Sequence, residues 1–187
     1  MIHADASGRV LLRPATSGDE TEFLDLVRAS ASLHHPWMSL PSAPEDYQAF
    51  ITRYQQPGEG SLLVCLRSTG AIAGLVNITN IVRGRFQNAS LGYSAFAPTA
   101  GQGYMREGLA LVVRHAFEQL RLHRLEANIQ PGNHASIRLV ERVGFRREGY
   151  SPDMLFIDGA WRDHERWAIT ATMAGIEAEP HPSQPAR

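Results

Sequence analysis

The chain has 187 residues, a formal net charge of −1 and one cysteine. That length suits one domain with a real core, the small net charge gives no general pull on nucleic acid or a membrane surface, and a lone thiol leaves no intramolecular disulfide. No run of about 18 apolar residues is present to span a bilayer, and the opening "MIHADASGRV" lacks the basic and apolar regions of a secretory signal, so the expected location is cytoplasmic.

Val10 to Pro14, "VLLRP", predicts a short first strand. Ser17 stands as the N-cap of a helix through "SGDETEFLDLVRAS", with Asp19 and Glu20 in its first turn and Phe23, Leu24 and Val27 as its apolar stripe. The prolines of "HHPWMSLPSAPEDYQAFITRY" break the chain and restart it as a second helix after Ser42 or Pro44. The period then changes. "SLLVCLR" and "AIAGLVNITNI", joined through "STG", read as strands, and "ASLGYSAFA" as a third that ends at Pro98. Beyond a glycine-rich turn, Met105, Leu109, Val112, Ala116 and Leu120 mark one helical face. "RLEANIQ" is a strand stopped by Pro131-Gly132, and "NHASIRLVERVGF" a helix capped by Asn133 and closed by Gly144. "MLFIDG" and "WRDHERWAIT" form a hairpin around Asp158-Gly159. The Pro-rich end, "EAEPHPSQPAR", predicts a disordered tail. No repeat or linker divides the chain, which reads as a single domain over residues 1–175 with the tail at 176–187. The order β, α, α, β, β, β, α, β, α, β, β belongs to the α/β (α+β) class, with a mixed sheet flanked by helices.

The turn "PTAGQGYMREG" carries the first chemical signal. No Gly-Lys-Ser/Thr is present, which excludes a P-loop, and a dinucleotide fingerprint needs glycine where Arg106 stands. Two readings remain on spacing alone: an anion site built from the unpaired N–H groups of a helix start, or a glycine-rich helix start that binds nothing.

The segments "LGYSAF", "GQGYM", "REGLALVVRHAFEQL", "HRLEANIQPGN" and "ASIRLVERVGFRREGY", in that order, resemble the GNAT acyltransferase superfamily. "LGYS", "GNHAS", "GFRREGY", "LFIDGAWRDH" and the earlier "PWMSLPS" are similar to its RimJ/RimL branch of protein N-terminal acetyltransferases, over about residues 10 to 170. The resemblance implies a GNAT fold, with a mixed, mostly antiparallel central sheet flanked by helices, and acetyl-CoA as co-substrate. It implies that the pyrophosphate lies against Gly101, Gln102, Gly103, Tyr104, Met105 and Arg106, mostly on backbone N–H groups. It puts the pantetheine beside Phe96 and Ala97, where an extended amide arm pairs as an added strand would. It also implies that Asn133 touches the pantetheine and that Ser136 lies near the thiol, while the residues themselves allow a plain N-cap and a first-turn hydroxyl. Two positions depart from the superfamily pattern. Pro98 stands where a Gln or Arg is common, and Val140 where many members have the tyrosine that protonates the leaving thiolate, so that role is empty or passes to Ser136.

Acetyl transfer from a thioester to an amine needs a neutral amine, donors for the developing oxyanion and a proton for the thiolate. An α-amine of pKa near 7.8 is roughly 15% neutral at pH 7, a lysine near 10.4 only about 0.04%. A terminal amine thus needs little help from a base and attacks directly, which suits a strand, "LGYSAF", without a carboxylate. Cys65 reads as a buried structural thiol. Glu126 is the best carboxylate for a base, acting through a water, against the alternative of a strand-end glutamate paired with an arginine. Asp153 draws in the α-ammonium or caps a turn; Tyr93 lines the acceptor groove or fills the core; Trp37 walls the entrance or packs on the sheet. The eight histidines form no H-E-x-x-H and no Cys/His cluster, so no metal is expected. Asp163 and His164 read as fixing the closing hairpin. The expected function is acetyl transfer to the α-amine of a protein or peptide N-terminus, a ribosomal protein among the candidates, with no nucleic acid or membrane partner and a homodimer left open. The alternatives are a small-molecule amine, such as a polyamine or antibiotic, and a non-catalytic acyl-CoA-binding domain.

Overall fold

The computed structural model describes residues 8–56 and 59–177. The predicted tail lies outside them from residue 178 onward. Chain order runs β1 (Val10–Pro14), α1 (Glu20–Ala29), α2 (Ala31–His34), α3 (Pro44–Tyr54), β2 (Gly60–Leu66), β3 (Ile72–Val82), β4 (Asn88–Ala95), α4 (Tyr104–Glu118), β5 (Arg124–Ile129), α5 (His134–Val143), β6 (Arg146–Ile157) and β7 (Ala160–Thr170). The strands form one sheet in the order β1-β2-β3-β4-β5-β7-β6. Every neighbouring pair is antiparallel except β4 and β5, which run parallel.

Both faces of the sheet are covered. In β2, Leu62 and Val64 point to the face of α4 and α5, whereas Leu63 and Cys65 point to that of α1 and α3. A strand buried on two sides reads as a continuous apolar run because side chains alternate with period two and both directions are dry. Leu109, Val112, Val140 and Leu125 build the first core; Phe23, Tyr47, Leu75 and Phe96 build the second. Cys65 is fully buried in that second core, as its sequence setting led us to expect. Helix α4 lies against β2 through Gly108, where a Cβ would stand 2.5 Å from Val64 Cγ2.

Three local features differ from the sequence reading. The first helix does not begin at Ser17: Thr16 opens a short 3-10 turn over Ser17–Asp19, and α1 starts at Glu20. The Asp19 carboxylate accepts hydrogen bonds from Thr16 N at 2.9 Å and Thr16 Oγ1 at 2.8 Å, and it also pairs with Arg13 at 2.6 Å. It is therefore a tertiary anchor as much as a helix-start residue. Ala31–His34 adds one helical turn, too short to show a period. The sixth strand begins at Arg146 rather than Met154. It is an edge strand paired only with β7, so most of its first half is exposed and polar and carries no apolar alternation.

Candidate active site

The glycine turn carries two left-handed residues just before α4. Gly101 and Gly103 adopt φ of +77° and +86°, a left-handed region open mainly to glycine. Gly103 is the N-cap of α4, so the N–H groups that follow it open a helix whose first donors have no intrahelical acceptor. Arg9 braces this turn from the start of β1. Its guanidinium donates to the Gln102 carbonyl at 3.1 Å and to Glu107 Oε1 from Nε at 2.7 Å, and stacks 4.6 Å from the centre of the Tyr104 ring. That contact holds Glu107 below the usual carboxylate range.

The next feature is a gap in the sheet. Strands β4 and β5 pair only at Asn88–Arg124, Ala89–Leu125 and Ser90–Glu126, although β4 stays paired with β3 as far as Ala95. Beyond Ser90 the two parallel strands splay, and the facing edge of β4 is left open. A cleft of about 120 Å³ lies there, lined from β4 by Leu91, Gly92 and Tyr93, and from β5 and its turn by Asn128, Ile129 and Gln130. Asn133, Ser136, Trp37, Met38, Leu155, Ile157 and His164 complete it.

The cleft connects the two faces of the sheet. On the α5 face, Asn133 Oδ1 accepts a hydrogen bond from Ser136 N at 3.1 Å, so the N-cap reading of Asn133 holds. Ser136 Oγ lies 2.6 Å from the Tyr93 hydroxyl. Burial pushes the Tyr93 phenol well above its usual pKa, more than the Ser136 contact lowers it, so the hydroxyl keeps its proton. β4 thus brings a tyrosine hydroxyl against Ser136, four residues before Val140. On the other face, the Asn128 carbonyl oxygen is buried without a hydrogen-bond partner. His164, only 2% exposed, lines the same space.

The residues expected at the site are placed as follows. Trp37, Tyr93, Asn133 and Ser136 meet in the cleft. Tyr93 points to the α5 side, toward Ser136, rather than to the opposite face. Gly101 to Arg106 form the turn at the start of α4. Phe96 is fully buried in the second core, and the Ala97 N–H donates to Ser30 Oγ at 2.8 Å. Glu126 lies outside the cleft lining, paired with Arg124 at 2.8 Å, the arginine-bound arrangement anticipated as its alternative. Asp153 has a left-handed φ of +47° in an irregular stretch of β6, its N–H donating to Asp163 Oδ1 at 2.9 Å, and it does not line the cleft. Asp163 also accepts from the Tyr150 hydroxyl, so it does fix the hairpin. Among the described residues no group of three metal-binding side chains comes together. A larger cleft, about 400 Å³, opens at another part of the sheet between Ile51, Ile78 and Leu120, away from the glycine turn.

Arg9, Asn128 and His164 were not singled out as site residues from the sequence. Period-two alternation in "RLEANI" does put Asn128 on the face opposite Leu125, Ala127 and Ile129, but no spacing joins it to a histidine 36 positions later.

The chain matches the acetyltransferase (GNAT) domain family over residues 9–146. It is 43% identical over 99 residues to the ribosomal protein uS5-alanine N-acetyltransferase of Escherichia coli K12, covering 53% of this chain and 51% of that protein. The match thus spans about half the length of that relative. The structure of Mycobacterium smegmatis RimJ in complex with CoA-disulfide superposes with a TM-score of 0.81 at 28% identity, over 89% of this chain and 86% of that one. Spermidine N-acetyltransferase from Vibrio cholerae, in complex with CoA and spermine, shares the fold, with a TM-score of 0.76 at 19% identity over 89% and 98% of the two chains. The mixed seven-stranded sheet, the glycine turn opening α4 and the family match together make this chain a member of the acetyltransferase (GNAT) family.

Proposed function

We propose that this chain transfers the acetyl group of acetyl-CoA directly to the α-amine of a protein or peptide N-terminus, in the cytoplasm, with a ribosomal protein as one acceptor. GNAT acetyltransferases use acetyl-CoA, and the residues present fit it. The left-handed turn at Gly101 and Gly103 and the first N–H groups of α4 suit a pyrophosphate. The open edge of β4, from Leu91 to Ala95, suits an extended amide arm; past it the Phe96 and Ala97 N–H groups are already bonded to Ala73 and Ser30. Acetyl-CoA supplies the activated acyl group; the chain's own residues position it and move protons. Ser136 Oγ protonates the leaving sulfur in this reading, and its 2.6 Å contact with the Tyr93 hydroxyl supports a proton shared between the two.

The observation that carries the choice of acceptor is the lining of the cleft. Among the described residues that line it there is no Asp or Glu. A polyamine brings several cations that need carboxylate partners, whereas a single α-amine near pKa 7.8 loses its proton without one. The 43% identity to an enzyme named for alanine N-termini supports the same reading. The test is a panel of Ala-, Ser- and Met-starting peptides against spermidine and aminoglycosides, scored by CoA release. We expect turnover of peptides; reaction with the small amines alone overturns the proposal.

A further inference from the structure

The two faces of the cleft carry different chemistry. Tyr93 and Ser136 serve the α5 face. On β7, Trp167 and Ile169 belong to the α4/α5 core, so alternation turns His164, Arg166 and Ala168 to the opposite face. Asn128 pairs with Arg166 in the β5–β7 ladder and shares that face. An acyl donor held against α5 therefore meets, through the gap, a surface presented by Asn128 and His164.

Both groups there offer lone pairs. The Asn128 side-chain oxygen is buried and without a hydrogen-bond partner, a state that costs stability unless a ligand or water donates to it. His164 Nδ1 lies 2.9 Å from the Arg162 carbonyl oxygen. A carbonyl only accepts, so Nδ1 carries the hydrogen and Nε2 keeps its lone pair. Among the described residues nothing hydrogen-bonds Nε2. Burial, outweighing the Arg162 contact and the nearby Asp163 charge, holds the imidazole pKa below 6.5, so the base form prevails at neutral pH.

We propose that His164 Nε2 takes the proton released by the attacking amine, while Asn128 Oδ1 accepts a hydrogen bond from the same nitrogen. This rests on the acetyltransferase reading above and adds its base. In the step, the amine nitrogen bonds to the acyl carbon, the carbon–sulfur bond breaks, the amine proton passes to Nε2, and the sulfur takes a proton from Ser136. The imidazolium then returns its proton to solvent, and the Ser136–Tyr93 hydroxyl pair takes one back from solvent, so both groups end as they began. The charged and titratable groups around His164 are Arg162, Asp163, Glu165 and Arg166 on its own strand and Tyr150 and Asp153 on β6. β5 presents Asn128 and Gln130, the segment before α3 presents Trp37 and Met38, and β4 presents the protonated Tyr93. None of the carboxylates among these lines the cleft, so His164 is the group there able to accept a proton.

The test uses the full chain, acetyl-CoA and an Ala-starting peptide, with kcat followed against pH and acetyl-CoA affinity measured by calorimetry. For the wild type we expect kcat to fall on the acid side with a midpoint below 6.5. His164→Gln should lower kcat by about 100-fold and lose that acid limb, with acetyl-CoA affinity unchanged. Unchanged kcat with the limb intact, or a raised peptide KM at full kcat, overturns the base role. If His164→Gln does not fold, nitrogen-15 NMR of the wild-type imidazole decides: a hydrogen on Nδ1 supports the proposal and one on Nε2 overturns it. A wild type that binds no acetyl-CoA and acetylates no amine fails at the proposed function itself, before His164 is in question.

Discussion

At the scale of single residues, the hydroxyl pair across the cleft and the buried ionisable groups decide behaviour. Ser136→Ala removes the hydroxyl proposed to protonate the leaving sulfur, and kcat should fall by about 100-fold with little change in the KM for acetyl-CoA. Tyr93→Phe leaves the serine in place but removes its 2.6 Å partner, a loss of about 10-fold in kcat. The double variant should fall by less than the product of the two, because the groups act as one unit; full multiplicativity in steady-state assays would break the relay. Two other groups set the response of stability to acid. His164 has its pKa lowered by burial, so the unfolded chain binds a proton more readily, and stability is lost as pH falls from 6.5 through the lower folded value. For Asp19, burial works upward and is outweighed by the hydrogen bonds from Arg13 and Thr16, leaving it below 3.8; its contribution is present above that value and goes as pH falls further. Urea unfolding at stepped pH should therefore show a first decline beginning near pH 6.5, absent in a folded His164 variant, and a second below pH 4.

Among the elements, α4 carries the sharpest conflict between local and tertiary preference. Alanine is a better helix former than glycine by roughly 1 kcal/mol, so propensity alone makes Gly108→Ala stabilising. Packing predicts the reverse. The added Cβ would stand 2.5 Å and 2.6 Å from the two Cγ atoms of Val64, itself fully buried and stiff at χ1. Overpacking of this kind costs roughly 1–3 kcal/mol. Gly108→Ala should lower the urea midpoint, and Val64→Ala in the same chain should recover part of the loss. A raised midpoint for Gly108→Ala would mean that α4 can move off the sheet freely. The other element of consequence is the parallel pair β4–β5, whose short ladder, three residues long, opens the cleft. Neither strand shows this in its own sequence, because each is regular; the splay belongs to their divergence.

For the molecule as a whole, the proposed donor site draws on several elements: Arg9 at the start of β1, the α4 turn, the open edge of β4 and the first turn of α5. A ligand that bridges them binds only the folded state. Acetyl-CoA at 100 times its Kd should add about 2.7 kcal/mol and raise Tm by roughly 5–10 °C in a chain of this size. Differential scanning fluorimetry measures the shift, and no rise at saturating ligand would refute the placement of the donor site. Gly103→Ala should shrink the rise, since its φ of +86° penalises any Cβ.

The amino-acid sequence by itself determined the order of the major elements, the two-sided burial of β2, the cap at Asn133 and the glycine turn before α4. These depend on local periodicity and on residue types with narrow backbone preferences, and both are written in short windows. The long polar run of β6 was illegible because an edge strand exposed to water shows no apolar alternation. Only the tertiary structure decided that Tyr93 reaches Ser136 where Val140 leaves no hydroxyl, that Glu126 is held by Arg124, and that Asn128 and His164 share one cleft. The Arg124–Glu126 pair is local, two positions apart on one strand, whereas Tyr93 and Ser136 are 43 apart and meet through strand register and the divergence of β4 from β5. Pairing across a sheet has no local signature, so the glycine turn was readable in the chain and the meetings across the cleft were not.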